Sequence, residues 1–198
     1  MLEFIDFKFI IAIFASVLYV FGCIPYFRDI FAKKTKPHLY TWLIWGITQG
    51  TAAVALLYGG GKFGSISLIV GTIFVLAIFL LSFKYGTKDI TLSDKVILAL
   101  ALLAIVIWWQ LDNPLVAVIM VSAIDGIGYI PTIRKSFKDP WSETLSSWVV
   151  ILIVDTLALF ANAEYNFLTV TYLAVLFVAN AAVVLVCFFR RRIVQKAE

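Results

Sequence analysis

Long apolar stretches separated by short polar loops form the main pattern of this chain. A helix that crosses a hydrocarbon core of about 30 Å needs about 20 mostly apolar residues. Seven segments approach that length: 10–27, 40–58, 65–83, 96–111, 115–133, 145–162 and 167–189. The pattern therefore predicts an all-α membrane protein with seven transmembrane helices.

These segments contain an internal repeat, because residues 19–58 match residues 125–164 after a shift of 106 positions. The repeat covers helices 1 to 3 and helices 5 to 7 and leaves helix 4 single. One extra helix gives both copies the same orientation, which predicts parallel triple-helix bundles related by an axis along the membrane normal. The predicted units are a first bundle at 1–86, linker helix 4 at 87–112, and a second bundle with a basic tail at 113–198.

Composition and charge support a membrane location and set an orientation. Hydrophobic residues make up 63% of the chain and charged residues 14%, against about 25% charged in soluble domains. All of the 16 Lys and Arg residues except Lys8 and Lys62 follow helices 1, 3, 5 or 7. By the positive-inside rule the N-terminus is outside and the C-terminus cytoplasmic, in a plasma (inner) membrane. The net charge of +4 therefore reflects topology and anionic lipid, and no nucleic-acid partner is predicted.

Intramembrane polar residues are the candidates for solute binding. Asp125 and Asp155 are the ionisable side chains well inside predicted spans, where an aspartate costs about 2.5–3.5 kcal/mol on insertion scales. At 1.5 Å per residue, Tyr19, Gln49 and Asn180 reach the same midplane level. Two carboxylates in one cavity cannot both ionise cheaply, which favours proton coupling or a cation site. Hydrogen bonding between helices is the alternative role for this layer.

Hinge and gate residues are predicted in matched pairs near the inner helix ends. Proline removes a helical hydrogen bond and kinks the helix, and a neighbouring glycine makes that kink a hinge. The pairs are Gly22 with Gly128, Pro25 with Pro131, and Trp42 with Trp148. The alternatives are that the prolines mark helix ends and that the tryptophans form an interfacial belt.

The residues around the two prolines carry a family resemblance. Ile24-Pro25 and Ile130-Pro131 are each followed by Arg three residues after the proline and by a short basic loop. In this the chain resembles the SWEET/PQ-loop superfamily. The resemblance implies two triple-helix bundles that move a sugar by alternating access, with Asn180 at the position of the asparagine that contacts the substrate.

Together these features predict a transporter of a small polar solute, a sugar or an amino acid, with proton coupling left open. The alternatives are a receptor or sensor on the same scaffold and a TRIC-like cation channel. No catalytic motif occurs and His38 has no second ligand in its loop, so the sequence predicts no enzyme, no cofactor and no metal site. The lipid bilayer is an expected partner, and the sequence is compatible with an oligomer.

Overall fold

The computed structural model describes residues 6–87, 90–111 and 113–195. Lys88 and Lys196, which belong to the predicted basic side, lie outside these residues. In the described part, seven α-helices and one short 3-10 helix (Pro140–Ser142) form, without any strand. The α-helices are α1 Phe7–Phe31, α2 Leu39–Tyr58, α3 Gly64–Tyr85, α4 Leu92–Leu111, α5 Pro114–Lys138, α6 Leu145–Ala161 and α7 Phe167–Arg191.

Polar caps set where several helices begin. Asp6 accepts a hydrogen bond from the backbone of Lys8 at the start of α1. Asn113 does the same for α5, where Pro114 occupies the first turn, and Asn166 forms a reciprocal capping box on α7. Such caps satisfy amide groups that the first helical turn leaves free. Gly60 has a positive φ of 82° and allows the tight turn between α2 and α3.

Three helices are long and apolar enough to cross a membrane unaided: α1, α3 and α7. The described residues thus form the seven expected helices, and three of these helices meet the length and hydropathy of a membrane span. Helix α6 is apolar but has 17 residues, or about 26 Å at 1.5 Å per residue, less than the ~30 Å core. Helix α2 carries polar residues on its buried face, including Thr41, Thr48 and Gln49, which lower its mean hydropathy.

Helix packing repeats along the chain. Helix α3 contacts both α1 and α2, and α7 contacts both α5 and α6 in the same way. Across the two groups, α1 packs on α6 and α2 packs on α5. Each interface of the first copy thus has a counterpart in the second. Helix α4 packs on α5 and α2.

The surface of the molecule is apolar and its interior contains many polar groups. Phe21, Ile73 and Leu80 are exposed, whereas Asp125 and Asn180 are buried. A soluble protein places its apolar side chains mostly inside, and polar residues in a membrane protein face the interior of the bundle. This distribution and the three long apolar helices are compatible with a membrane protein.

Loops that are far apart in the sequence meet at each end of the bundle. At one end the Lys135 ammonium donates to the carbonyl of Lys36 at 3.3 Å, which joins the loop after α1 to the last turn of α5. At the other end Asn166 Nδ2 donates to the Gly59 carbonyl at 2.7 Å, which joins the loops after α2 and α6. We call the first the basic end, because the Lys- and Arg-rich loops meet there, and the second the opposite end.

Candidate functional site

A small cavity lies between the two copies of the repeat. Its volume is about 30 Å3, enough for about two water molecules. Six helices contribute to its wall: α1, α2, α3, α5, α6 and α7. The residues that line it are Tyr19, Trp42, Trp45, Gln49, Ser67, Leu68, Gly71, Val75, Tyr129, Trp148, Ile151, Val154, Asp155, Ala158, Leu176 and Asn180.

Most of the predicted binding layer lines this cavity. Tyr19, Gln49, Asp155 and Asn180 all belong to its wall, as do both members of the tryptophan pair, Trp42 and Trp148. Asp125 is fully buried but does not line the cavity. The structure therefore brings one carboxylate to the cavity, where the sequence predicted two.

A chain of hydrogen bonds connects the three helices of the second copy at the cavity wall. The Tyr129 hydroxyl on α5 donates to Asn180 Oδ1 on α7 at 3.0 Å. Asn180 Nδ2 donates to Asp155 Oδ2 on α6 at 2.6 Å. The Asp155 carboxylate is held in one orientation by this chain. Tyr129 was not among the predicted binding residues, although it lies one helical turn after Asp125.

Two further polar atoms of the wall have no hydrogen-bond partner in the described part of the chain. They are Trp45 Nε1, a donor, and Gln49 Oε1, an acceptor. Both side chains are more than nine-tenths buried. A buried polar atom without a partner costs about 1–3 kcal/mol, so each favours a ligand or a water molecule with the matching hydrogen-bonding group.

Asp125 instead connects the two copies through their contact between α5 and α2. The Thr48 hydroxyl donates to Asp125 Oδ1 in a short hydrogen bond. The buried Tyr172 hydroxyl of α7 lies beside Thr48 and Asp125. This carboxylate stabilises the interface between the copies and lies beside the cavity wall.

Aromatic rings separate the cavity from the basic end. Trp42 and Trp148 lie in the first turns of α2 and α6, two turns before Gln49 and Asp155, so they are about 10 Å closer to that end. The rings form a contact chain. The ring centroids of Tyr26 and Trp42 are 5.5 Å apart, and those of Trp42 and Trp45 are 5.0 Å apart. Trp45 also contacts Tyr129, at 4.5 Å, and Trp148, at 6.0 Å between centroids. These five rings close the cavity on that side.

Beyond the rings, Glu143 forms a charged contact. Lys135 Nζ lies 2.5 Å from Glu143 Oε1, and Trp148 Nε1 donates to Glu143 Oε2 at 2.9 Å. The carboxylate thus orients the Trp148 indole. The Asp29 carboxylate on α1 accepts from the Thr144 hydroxyl at 2.9 Å, which connects the two copies at the same level.

A second charged contact at the basic end includes α4. Asp94 lies in the first turn of α4, before the predicted span, and its Oδ atoms lie 3.3 Å from His38 Nε2 and 3.7 Å from the Arg134 guanidinium. Burial alone raises the pKa of Asp94, but hydrogen bonds from Thr91, then His38 and Arg134, outweigh it and leave the pKa below its ordinary value. Asp94 is therefore an anion that fastens α4 to the other helices.

The predicted hinge residues lie within helices. Helix α1 continues past Pro25 to Phe31 and α5 continues past Pro131 to Lys138, so neither proline marks a helix end. Gly22 on α1 lies against Val150 of α6.

Gly128, its repeat-mate on α5, lies against Trp45 of α2, where an added Cβ would be 3.3 Å from Nε1. Both glycines therefore allow the close approach of one copy to the other.

Polar contacts also join the two copies at the opposite end of the molecule. The Lys8 ammonium donates to the carbonyls of Asn162 at 2.5 Å and Ala163 at 3.2 Å. Asn162 is fully buried and its Nδ2 donates to the Thr169 carbonyl at 3.0 Å. These contacts join α1 of the first copy to the end of α6 of the second copy.

Among the described residues, no group of three or more His, Cys, Asp and Glu side chains is arranged to hold a metal ion. No family model matches the chain, and no curated protein or solved structure is significantly similar to it.

Proposed function

We propose that this protein is a membrane transporter that moves a small polar solute, such as a sugar or an amino acid, by alternating access of two like bundles. In this proposal α1 to α3 and α5 to α7 are parallel transmembrane bundles, α4 is the linker, and the N-terminus is outside. Helices α2 and α6 span with them, because the polar residues of α2 are packed against neighbouring helices and α6 exposes apolar side chains such as Val149, Ile153 and Phe160.

The observation that carries the proposal is that matched positions of the two copies line one small cavity between them. Trp42 and Trp148 are repeat-mates, as are Gln49 and Asp155, and all four belong to the same wall. Transporters built from repeats place the solute site at the interface of the repeats near the bilayer midplane. A packing role alone gives no reason for polar groups from both copies to meet at a cavity.

Closure of both ends supports alternating access. The aromatic rings and the Lys135–Glu143 contact close the basic end, and the Lys8 contact closes the opposite end. A change in the angle between the bundles opens one end while the other stays packed, with α1 against α6 and α2 against α5 as the moving interfaces. Pro25 and Pro131 lack the helical amide hydrogen bond, which lets the inner halves of α1 and α5 bend.

The direct test is a flux assay. The purified protein is reconstituted in liposomes, and uptake of labelled sugars and amino acids is measured with and without a pH gradient. Saturable uptake with counterflow exchange is the expected result. Ion conductance without saturation would favour the channel, and the absence of flux for every solute and ion would favour the receptor.

A crosslink tests the mechanism itself. The hydroxyls of Thr35 and Thr144 are 2.9 Å apart and belong to different copies. The Thr35→Cys/Thr144→Cys variant should lose transport on oxidation and regain it on reduction, while each single variant is insensitive. Full flux after complete crosslinking would contradict opening at the basic end.

The proposed orientation has its own measurement. A C-terminal reporter is expected in the cytoplasm and an N-terminal tag outside, because the basic loops lie on the inner side. A C-terminus outside the cell would rule out this arrangement of the bundles.

A further inference from the structure

The cavity has an unusual charge balance. Asp155 is the one ionisable carboxyl of its wall, and no Lys, Arg or His side chain lines it in the part of the chain that the structure describes. Asn180 is its hydrogen-bond donor there. An amide neutralises no charge, and an isolated carboxylate is costly in a low-dielectric site. The described wall therefore contains no positive charge to balance Asp155, and a cationic ligand would supply that charge.

The remaining wall is rich in aromatic rings. Trp42, Trp45, Trp148 and Tyr129 lie on the side of the cavity towards the basic end, and Tyr19 lies on α1. The face of an aromatic ring attracts a cation within about 6 Å, and groups of such rings recognise alkylated ammonium groups. The carboxylate and the rings thus favour the same kind of ligand.

The two unpartnered polar atoms add a third requirement. Trp45 Nε1 needs an acceptor and Gln49 Oε1 needs a donor. A single hydroxyl satisfies both, because its oxygen accepts one hydrogen bond while its O–H donates another.

We propose that the solute is a compact organic ammonium ion with a hydroxyl group, in which the cationic nitrogen pairs with Asp155 among the rings and the hydroxyl bridges Trp45 and Gln49. This inference rests on the proposed transport function and narrows its small polar solute to an organic cation, in place of the sugar or amino acid given there as examples. Phosphorylated and carboxylate solutes are disfavoured, because their negative charge would lie beside Asp155. A neutral sugar leaves the Asp155 charge uncompensated unless a proton binds with it.

The occluded volume fits a site that opens to bind. A cavity of about 30 Å3 holds water and not an amino alcohol, so the bundles separate before the ligand enters. Binding energy from the ion pair and the rings is then available to stabilise a state that differs from this one. A ligand of this class should consequently change the conformation and the thermal stability of the protein together.

Choline and its neutral carbon isostere 3,3-dimethyl-1-butanol form the critical pair of probes, since they differ in charge and hardly in shape. Thermal unfolding in detergent is measured with each, and binding is measured by quenching of Trp fluorescence. We expect choline to bind at least 10-fold more tightly than the isostere, with tetramethylammonium between them because it lacks the hydroxyl. Equal affinity for choline and the isostere would overturn the proposal.

Isosteric variants test the role of the carboxylate. Asp155→Asn should lower choline affinity at least 10-fold and leave affinity for the isostere unchanged. The double variant Asp155→Asn/Gln49→Glu returns one carboxylate to the cavity from the repeat-mate position, so it should recover a large part of the choline affinity. Asp125→Asn is the matched control, because Asp125 is buried but outside the wall, and it should keep the preference for choline over the isostere.

The outcomes separate this inference from the transport function. Choline binding with its flux into liposomes supports both proposals. Choline binding without flux of any solute keeps the ligand class and overturns transport. Saturable flux of sugars or neutral amino acids without choline binding keeps transport and overturns the ligand class. Folding of each variant is checked by its melting curve without ligand, and the double variant provides the test if Asp155→Asn alone does not fold.

Discussion

Adding one methyl group at Gly22 tests the close contact between the two copies. A Cβ at this position would overlap Val150 Cγ1 and lie 2.8 Å from Val150 Cβ, whereas carbon atoms pack best at about 3.5–4.0 Å. The nearest atom is the Cγ1 methyl group, and the Cβ that carries it is also closer than a normal contact, so rotation of the Val150 side chain alone cannot relieve the overlap. Gly22→Ala therefore forces α1 and α6 apart.

The expected cost follows from the overlap. Extra methyl groups in a well-packed interior cost about 1–3 kcal/mol. Gly50→Ala is the matched control, because a Cβ there would be 3.9 Å from Thr72 Cγ2, an ordinary contact. Both variants gain the same helix propensity, so their difference reports the overlap alone. For a chain of about this length, 1 kcal/mol changes the melting temperature by about 2–4 °C, which predicts a difference of about 2–12 °C.

The assay is thermal unfolding of the purified variants in detergent, followed by the fluorescence of the six tryptophans. Combining Gly22→Ala with Val150→Ala removes the Cγ1 methyl group and should recover part of the loss. Equal melting temperatures for Gly22→Ala and Gly50→Ala would refute the close approach of α1 and α6 at this point.

Three other changes test the basic end. Pro131→Ala restores a helical hydrogen bond, so flux should slow without a lower melting temperature; unchanged flux would leave the proline a packing role only. Asp94 has a lowered pKa in the folded protein. Its ionised carboxylate therefore stabilises the fold fully at a pH above the ordinary aspartate pKa of ~4, and this stabilisation is lost as the pH falls through the lower pKa of the folded state. Asp94→Asn should lower the melting temperature at pH 7 and reduce its fall at acidic pH; parallel curves with pH would contradict this. Glu143→Gln removes the ion pair with Lys135 but keeps an acceptor for the nearby indole, so the basic end should open more easily and efflux should accelerate; a slower efflux would argue against a gate.

The helix plan and most of the cavity wall follow from the sequence for a simple reason. Apolar runs fix helix lengths, and the fixed rise per residue fixes the depth of each polar side chain. Gln49 and Asp155 were predicted at one level because the two copies share their register, and both line the cavity. The depth of a residue along its helix does not give the direction in which its side chain points. Asp125 lies at the predicted level but contacts Thr48 of α2, one turn away from the position where Tyr129 meets the cavity.

The charged contacts of the basic end are harder to predict from the sequence. Glu143 precedes α6 and Asp94 begins α4, so their partners depend on how short loops cross one another. Hydrophobic periodicity contains no information on that geometry. The contacts of the glycines are also hard to predict. Gly22 and Gly128 were predicted as hinge residues, and in the structure both lie where helices of different copies touch. The one sequence signal for that role is their recurrence at matched positions.

The shortness of α6 has a consequence for the surrounding lipid. Its 17 residues end at Ala161, while the neighbouring helices α1 and α7 have 25 each. The Lys8 ammonium, in the first turn of α1, donates to the carbonyls just after that end. If α6 spans the bilayer as proposed, the apolar belt of the protein is uneven in height and the bilayer would thin beside α6 to match it. The acyl-chain length of the lipid would then affect the stability of the Lys8 contact. Short-chain lipids would reduce the mismatch, and long-chain lipids would increase it.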